Sequence, residues 1–240
     1  MTKTLKPIMS QRMFELEQMR FPETQENMVR KKELARLQPL LKEALREYRI
    51  AEKELKTISK NVISLKIDTT DPSTLESAST KIADSFGHLH YLCNNAGIPG
   101  GSKILETPEE RWRLVHEVNF MGPLNGINLF LPQMLEHGEP GHIVNTSSFS
   151  GIHGHGNQSA YGSSKFALVG MSEFLRNDLK DTNVSVSVLC PHVVDTNIIS
   201  KLKARVSVDV LKMINQMAVD PSIVGDQVLK AIIEKEFYIF

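Results

Sequence analysis

From about residue 60 onward, short runs rich in β-branched and apolar residues alternate with amphipathic helical patterns. The strand candidates are Val62–Ile67, His88–Cys93, His142–Thr146, Val184–Cys190 and Phe237–Phe240. Parallel strands need connections of roughly a dozen residues or more, and such connections are right-handed in nearly all proteins. The alternation therefore predicts an α/β fold, a doubly wound parallel sheet with helices on both faces.

Turn and cap residues mark the ends of the predicted helices. The boundaries are Asp71-Pro72 to Gly87, the capping box Thr107–Glu110 to about Gly138, Ser159 to about Lys180, and Asp220-Pro221 to Ala231. Ligands on such sheets bind at the carboxyl ends of the strands. The residues expected at that edge are Asn94, Ser147, Ser148 and Pro191.

The first 60 residues differ in composition from the rest of the chain. None of the 14 glycines precedes Gly87, and residues 1–60 carry a net charge of +5 against −5 for residues 61–240. Apolar residues recur at steps of three and four from Leu34 to Ile58, which favours a helix. We predict a charged helical segment at 1–60 that covers the protein's own sheet, followed by the α/β domain at 61–240. The alternative is a coiled-coil or partner-binding helix.

Composition and charge exclude several classes of protein. The 28 basic and 28 acidic residues cancel, which gives no reason to expect nucleic acid as a partner. No apolar stretch approaches the roughly 20 residues that cross a bilayer, so we expect no membrane partner. Cys93 and Cys190 are too few for a disulfide framework, which favours a cytoplasmic protein with both thiols in the core. His153 and His155 lie on a glycine-rich loop without a nearby carboxylate, so we predict no metal site there.

Four polar residues are placed to act together. Tyr161 and Lys165 are four residues apart near a helix start, so their side chains lie on one helical face. Ser148 lies 13 residues before Tyr161, just past a strand, and the glycine-rich connection at 151–156 can fold back toward the helix. Asn119 falls inside a helix, an unusual place for a residue that prefers caps.

Together these residues resemble the Ser–Tyr–Lys type of short-chain dehydrogenase/reductase. The matching segments are Asn94-Asn95-Ala96-Gly97, Asn119, Ser148, Tyr161-Gly162-Ser163-Ser164-Lys165, and Pro191 with Thr196. The resemblance covers about residues 60–240. It implies a Rossmann-like fold, hydride transfer between NAD or NADP and a secondary alcohol or ketone, and a homodimer or homotetramer.

The chemistry of this family assigns a role to each group. A free phenol, with a pKa of about 10, is a poor base near neutrality. The Lys165 ammonium is expected to lower the pKa of Tyr161 by about three units, or roughly 4 kcal/mol, which makes Tyr161 the general acid/base. Ser148 would hydrogen-bond the substrate oxygen. By resemblance, Lys165 also holds the nicotinamide ribose, and Asn119 distorts its helix and holds a water that relays protons to Lys165.

Further cofactor contacts are implied by resemblance alone. Asp68 matches the acid that meets the adenine amino group, and Asn94 matches the turn residue beside the adenosine. The Val194 backbone and the Thr196 hydroxyl match the clamp on the carboxamide. Asp68 as a turn cap and Thr196 as a helix cap are the alternatives. His192 stands where the family usually has glycine.

One family element is missing from this sequence. Members open with a strand, a TGxxxGxG turn and a helix whose N-terminus receives the pyrophosphate, but here no glycine precedes Gly87. Residues 1–60 also contain no apolar β-run, so we expect helices in place of the strand-helix-strand unit, and either NAD or NADP as the cofactor. The alternative function is a non-catalytic relative with impaired dinucleotide binding and an N-terminal interaction helix.

Overall fold

The computed structural model describes residue 50 and residues 52–196 and 208–240. The chain divides into two compact units, with the boundary between Leu65 and Lys66. In the first unit, residues 52–58 are helical, and an ion pair of 2.7 Å joins Lys56 to Glu52 one turn away. The rest of the predicted N-terminal helix lies outside the described residues. The predicted domain boundary at residue 60 stays a prediction.

The second unit, residues 66–240, contains a four-stranded parallel sheet. Its strands are β1 (Tyr91–Asn94), β2 (Gly141–Thr146), β3 (Val184–Leu189) and β4 (Tyr238–Ile239), adjacent in that order. All three pairings are parallel. The four runs predicted from residue 88 onward are therefore confirmed as strands, each shifted by at most three residues.

Helices connect the strands. They are α1 (Pro72–Phe86), α2 (Glu109–His116), α3 (Gly122–Glu136), α4 (Ser159–Asp178), α5 (Val208–Met217) and α6 (Pro221–Glu234). A π-helical turn, Glu117–Met121, joins α2 to α3, and short 3₁₀ turns lie at Ile104–Glu106 and Phe149–Gly151. The predicted start of α1 is confirmed, because the Asp71 side chain accepts a hydrogen bond from the Ser73 backbone N–H. No helix in the described parts of the chain is long and apolar enough to cross a membrane.

Both faces of the sheet are covered, which confirms the doubly wound arrangement. Neighbouring residues of β2 point in opposite directions. Ile143 belongs to a core cluster that includes Met134 of α3 and Val169 of α4. Val144 belongs to a second cluster that includes Ala231 of α6.

Three local predictions are wrong. Residues 62–67 form no strand. A strand needs a neighbour for its backbone groups, and within the described residues β1 is the edge of the sheet. For the same reason Cys93 is exposed, whereas Cys190 is buried as expected. Thr107 does not cap α2: Pro108 holds that position, and the Thr107 hydroxyl donates to the Lys103 carbonyl at 2.8 Å.

Candidate active site

The carboxyl end of β2 leads directly into the site. Ser147 donates from Oγ to the backbone carbonyl of Lys165 at 2.9 Å. Ser148 caps the following 3₁₀ turn, because its Oγ accepts a hydrogen bond from the Ser150 N–H at 3.2 Å. A Cβ at Gly151 would lie 2.4 Å from Ser147 Oγ and 2.8 Å from the Lys165 carbonyl oxygen. Only glycine permits this close approach, so the connection folds back onto α4 as predicted.

Tyr161 and Lys165 project from the first turns of α4 toward the same place. Lys165 is 4% exposed, and its Nζ donates to the Thr146 carbonyl at 2.7 Å. The same nitrogen lies 5.8 Å from the centroid of the Tyr161 ring. The Ser148 side chain interacts with the Tyr161 side chain and acts to lower its pKa. The structure therefore brings the three predicted catalytic residues together.

The electrostatics of this cluster differ from the expectation in one respect. Burial raises the pKa of Tyr161 above its ordinary value, and the interaction with Ser148 offsets only part of that effect. The prediction that Lys165 lowers the pKa of Tyr161 is therefore wrong, because burial disfavours the charged phenolate and has the largest effect. Burial also lowers the pKa of Lys165, to about 8, with a smaller opposing influence of the nearby Cys190. Near neutral pH, Tyr161 is protonated and Lys165 is mostly charged.

Asn119 is fully buried behind these residues, in the π-helical turn. Its Oδ1 accepts from the Ile98 N–H at 2.8 Å, and its Nδ2 donates to the Ile98 carbonyl at 3.0 Å and to Ser164 Oγ at 3.1 Å. The predicted local distortion of the helix is confirmed. Ile98 and Ser164 were not anticipated as partners. Ser164 lies within the YGSSK motif, whereas no local signal marks Ile98.

Asn94 ends β1 and starts a buried chain of polar contacts. Its Nδ2 donates to Asn145 Oδ1 at 2.9 Å, and Asn145 Nδ2 donates to Ser172 Oγ at 3.0 Å. A Cβ at Gly126 would lie 2.6 Å from Asn94 Oδ1, so α3 packs directly on this side chain. The network holds the turn after β1 against the neighbouring strand and helix.

Asp68 acts as a turn cap in this structure, which was the alternative interpretation. Its Oδ1 accepts from the Thr70 N–H at 2.9 Å and from the Thr70 hydroxyl at 2.7 Å. The adjacent Thr69 carbonyl accepts from Asn125 Nδ2 of α3 at 3.0 Å. Asp68 therefore lies beside the same turn of α3 that packs on Asn94. A contact with adenine stays a prediction.

Val194 and Thr196 lie after β3. Val194 forms a single parallel bridge with Val219, whose backbone N–H donates to the Val193 carbonyl at 2.9 Å. Thr196 is exposed. Residues 197–207 lie outside the described residues, and with them any helix that Thr196 would cap.

His192 packs onto the loop that carries Ser148. Its ring stacks on Phe149, with the centroids 3.9 Å apart and the planes inclined by 25°. The His153 ring lies 5.5 Å from Phe149 on the same loop. The side chain that replaces the family glycine is therefore held against the 3₁₀ turn next to Ser148.

A comparison of the sequence with models of known protein families identifies the family to which this chain belongs. The family model described as short chain dehydrogenase matches residues 39–207. The chain belongs to the short-chain dehydrogenase/reductase family, a family of oxidoreductases. The match begins earlier than residue 60, where the resemblance was expected to start.

Curated relatives match over part of their length. A 1-deoxy-11-beta-hydroxypentalenate dehydrogenase of Streptomyces exfoliatus is 38% identical over 153 residues, which are 63% of this chain and 56% of that protein. The chain spans about half the length of the curated relatives with this name.

Solved structures share the fold. A short-chain dehydrogenase/reductase from Burkholderia phymatum, in complex with NAD, has a TM-score of 0.72 at 28% identity. The alignment covers 80% of this chain and 75% of that one. A variant of the actinorhodin polyketide ketoreductase with NADPH has a TM-score of 0.65 at 29% identity, over 69% of this chain and 68% of the other. Relatives of this chain thus bind either nicotinamide dinucleotide.

Proposed function

We propose that this chain transfers a hydride between NAD(P) and a secondary alcohol or ketone, with Tyr161 as the general acid/base. One observation carries the proposal. The side chains of Ser148 and Tyr161 interact, and Lys165 Nζ lies 5.8 Å from the centroid of the Tyr161 ring, at the carboxyl end of β2. Ligands of open parallel sheets bind at this edge.

The residues around the cluster suit the nicotinamide end of such a cofactor. Lys165 is the ribose ligand implied by the family. Gly97 lies next to this lysine, because a Cβ there would lie 3.6 Å from Lys165 Nζ and 3.4 Å from Asn119 Oδ1. The Val194 backbone and the Thr196 hydroxyl would hold the carboxamide. When bound, the nicotinamide supplies or accepts the hydride.

Asp68 and Asn94 would meet the adenosine end of the cofactor. Both lie next to the same turn of α3, since Thr69 accepts a hydrogen bond from Asn125 and Gly126 packs on Asn94. This proximity supports a common role for the two residues.

Ketone reduction requires a proton for the substrate oxygen, and Tyr161 carries one at neutral pH. A phenol that is protonated at neutral pH is a ready proton donor to the substrate oxygen. The Ser148 hydroxyl would donate a second hydrogen bond to that oxygen as negative charge develops there. Lys165, charged below its pKa of about 8, would stabilise the phenolate that remains. Asn119 would hold the water that returns a proton through Lys165.

A second candidate function rests on a different observation. The chain has no glycine before Gly87, so residues 1–86 cannot contain the glycine-rich turn that receives the pyrophosphate in the family. That observation favours a non-catalytic relative with weakened dinucleotide binding, in which the N-terminal helix binds a partner.

Titration of the full chain with NADH and with NADPH distinguishes the two functions. The fluorescence of the reduced cofactor is followed, and ketone reduction is then measured by loss of its absorbance. The first function predicts saturable binding below about 1 mM and turnover of at least one ketone from a panel of cyclic ketones and acetoacetate esters. Absence of saturable binding would leave the non-catalytic function. Lys165→Met should weaken binding, whereas Lys180→Met, at an exposed position, should not.

A further inference from the structure

Three histidines and a glutamate gather at the end of the sheet opposite to the catalytic cluster. His90 Nε2 lies 2.8 Å from Glu139 Oε2. The His137 ring lies 5.1 Å from the His90 ring and 5.0 Å from the His88 ring, measured between centroids. One ligand atom from each of His90, His137 and Glu139 can be chosen so that all three lie within 4.8 Å of one another.

The fold brings these residues together from two segments of the chain. His90 immediately precedes β1, and its carbonyl accepts from the His142 N–H of β2 at 2.8 Å. His137 and Glu139 lie in the connection between α3 and β2. Gly138 between them adopts φ +71°, a left-handed conformation that favours glycine, and turns the chain there.

Hydrogen bonds already determine which nitrogen of His137 carries the proton. Nε2 lies 3.1 Å from the Leu89 carbonyl, which can only accept, so Nε2 carries the hydrogen. Nδ1 therefore keeps its lone pair, which accepts from the Glu139 backbone N–H at 3.1 Å. Metal-binding histidines commonly donate their other ring N–H to a backbone carbonyl in this way. Because that nitrogen has a single lone pair, a zinc ion bound at Nδ1 would have to replace the hydrogen bond from the Glu139 N–H.

We propose that His90, His137 and Glu139 bind a zinc ion. Zinc takes imidazole nitrogens and carboxylate oxygens at about 2.0–2.2 Å, in tetrahedral geometry. Ligand atoms in such a site lie about 3.3 Å apart, so the three ligand atoms would have to move closer together than they lie here. Two imidazoles and a carboxylate suit Zn²⁺ and disfavour Mg²⁺ or Ca²⁺, which prefer oxygen ligands. The ion would join the start of β1 to the connection between α3 and β2.

Zinc binding is measured on the full, tag-free chain by competition with a fluorescent zinc chelator. We expect one equivalent of Zn²⁺ to bind. Glu139→Gln and His90→Gln should each weaken that binding at least about tenfold. The control is the double variant His153→Gln/His155→Gln, which removes two histidines outside this cluster and should leave the affinity unchanged.

Two further measurements exclude trivial explanations. The melting temperature of each variant without metal should stay close to that of the parent, because both replaced side chains are at least partly exposed. Zn²⁺ should raise the melting temperature of the parent, Mg²⁺ should not, and Glu139→Gln should remove the increase. The proposal is wrong if no equivalent of Zn²⁺ binds, or if folded Glu139→Gln and His90→Gln bind it as tightly as the parent. It is equally wrong if the control variant loses the affinity to the same degree.

Discussion

Replacement of Lys165 by methionine should change how the free energy of unfolding depends on pH. Lys165 is 4% exposed, and burial lowers the pKa of its ammonium to about 8 from an ordinary value of 10.5. Methionine fills a similar space without a charge. Lys165→Met should lose activity under the proposed mechanism. Its stability relative to the parent protein, however, should be highest near neutral pH.

The size of the effect follows from the difference between the two pKa values. Each pKa unit corresponds to 1.36 kcal/mol, so the shift from 10.5 to about 8 is worth about 3 kcal/mol. Below pH 8 Lys165 is protonated in both the folded and the unfolded chain, so the folded state bears the full cost of burying its charge. Between pH 8 and 10.5 the unfolded chain binds more protons, so the stability of the parent rises with pH. Loss of the hydrogen bond to Thr146 lowers the stability of the variant at every pH and leaves this trend intact.

Urea denaturation at pH 7, 8, 9 and 10 measures the difference. The stability of Lys165→Met relative to the parent should fall by about 2–3 kcal/mol between pH 7 and pH 10. Lys180→Met, whose parent side chain is 73% exposed, is the control and should show no such trend. A difference between variant and parent that is constant over this range would refute the argument from burial.

Two predictions concern buried polar groups of the sheet. Asn145→Ala should destabilise the fold by about 1–3 kcal/mol in urea denaturation, because it removes the acceptor of Asn94 Nδ2 and the amide that donates to Ser172 Oγ; an unchanged midpoint would contradict this. His142 is buried and hydrogen-bonded to Ser187, and burial lowers its pKa to about 4 from 6.5. The protein should therefore lose about 3 kcal/mol as the pH falls from 6.5 to 4. His142→Gln should remove most of that loss of stability. An equal loss in the variant would contradict its assignment to His142.

Local signals in the sequence were sufficient for most of the fold. Asp71 and Gly87 bracket α1 because a side-chain cap and a residue with positive φ are requirements of single positions. Asn119, placed inside a helical pattern, marked the position where the helix becomes a π-turn. The spacing of Tyr161 and Lys165 placed both side chains on one face, because helical geometry is periodic.

What could not be predicted depends on residues distant in sequence. Whether residues 62–67 form a strand is decided by a neighbouring strand, not by their β-propensity. The direction of the Tyr161 pKa shift depends on how much water its surroundings exclude, which spacing does not reveal. The cluster of His90, His137 and Glu139 joins segments 47 residues apart, and no local motif marks it.

The catalytic assignment of Tyr161 is tested most directly by the turnover of Tyr161→Phe with NADPH and the best ketone substrate of the panel. Removal of a general acid should lower kcat at least about 100-fold, while Tyr91→Phe, at an exposed position of β1, should keep the rate of the parent. Ketone reduction by Tyr161→Phe at the rate of the parent would contradict the proposed mechanism.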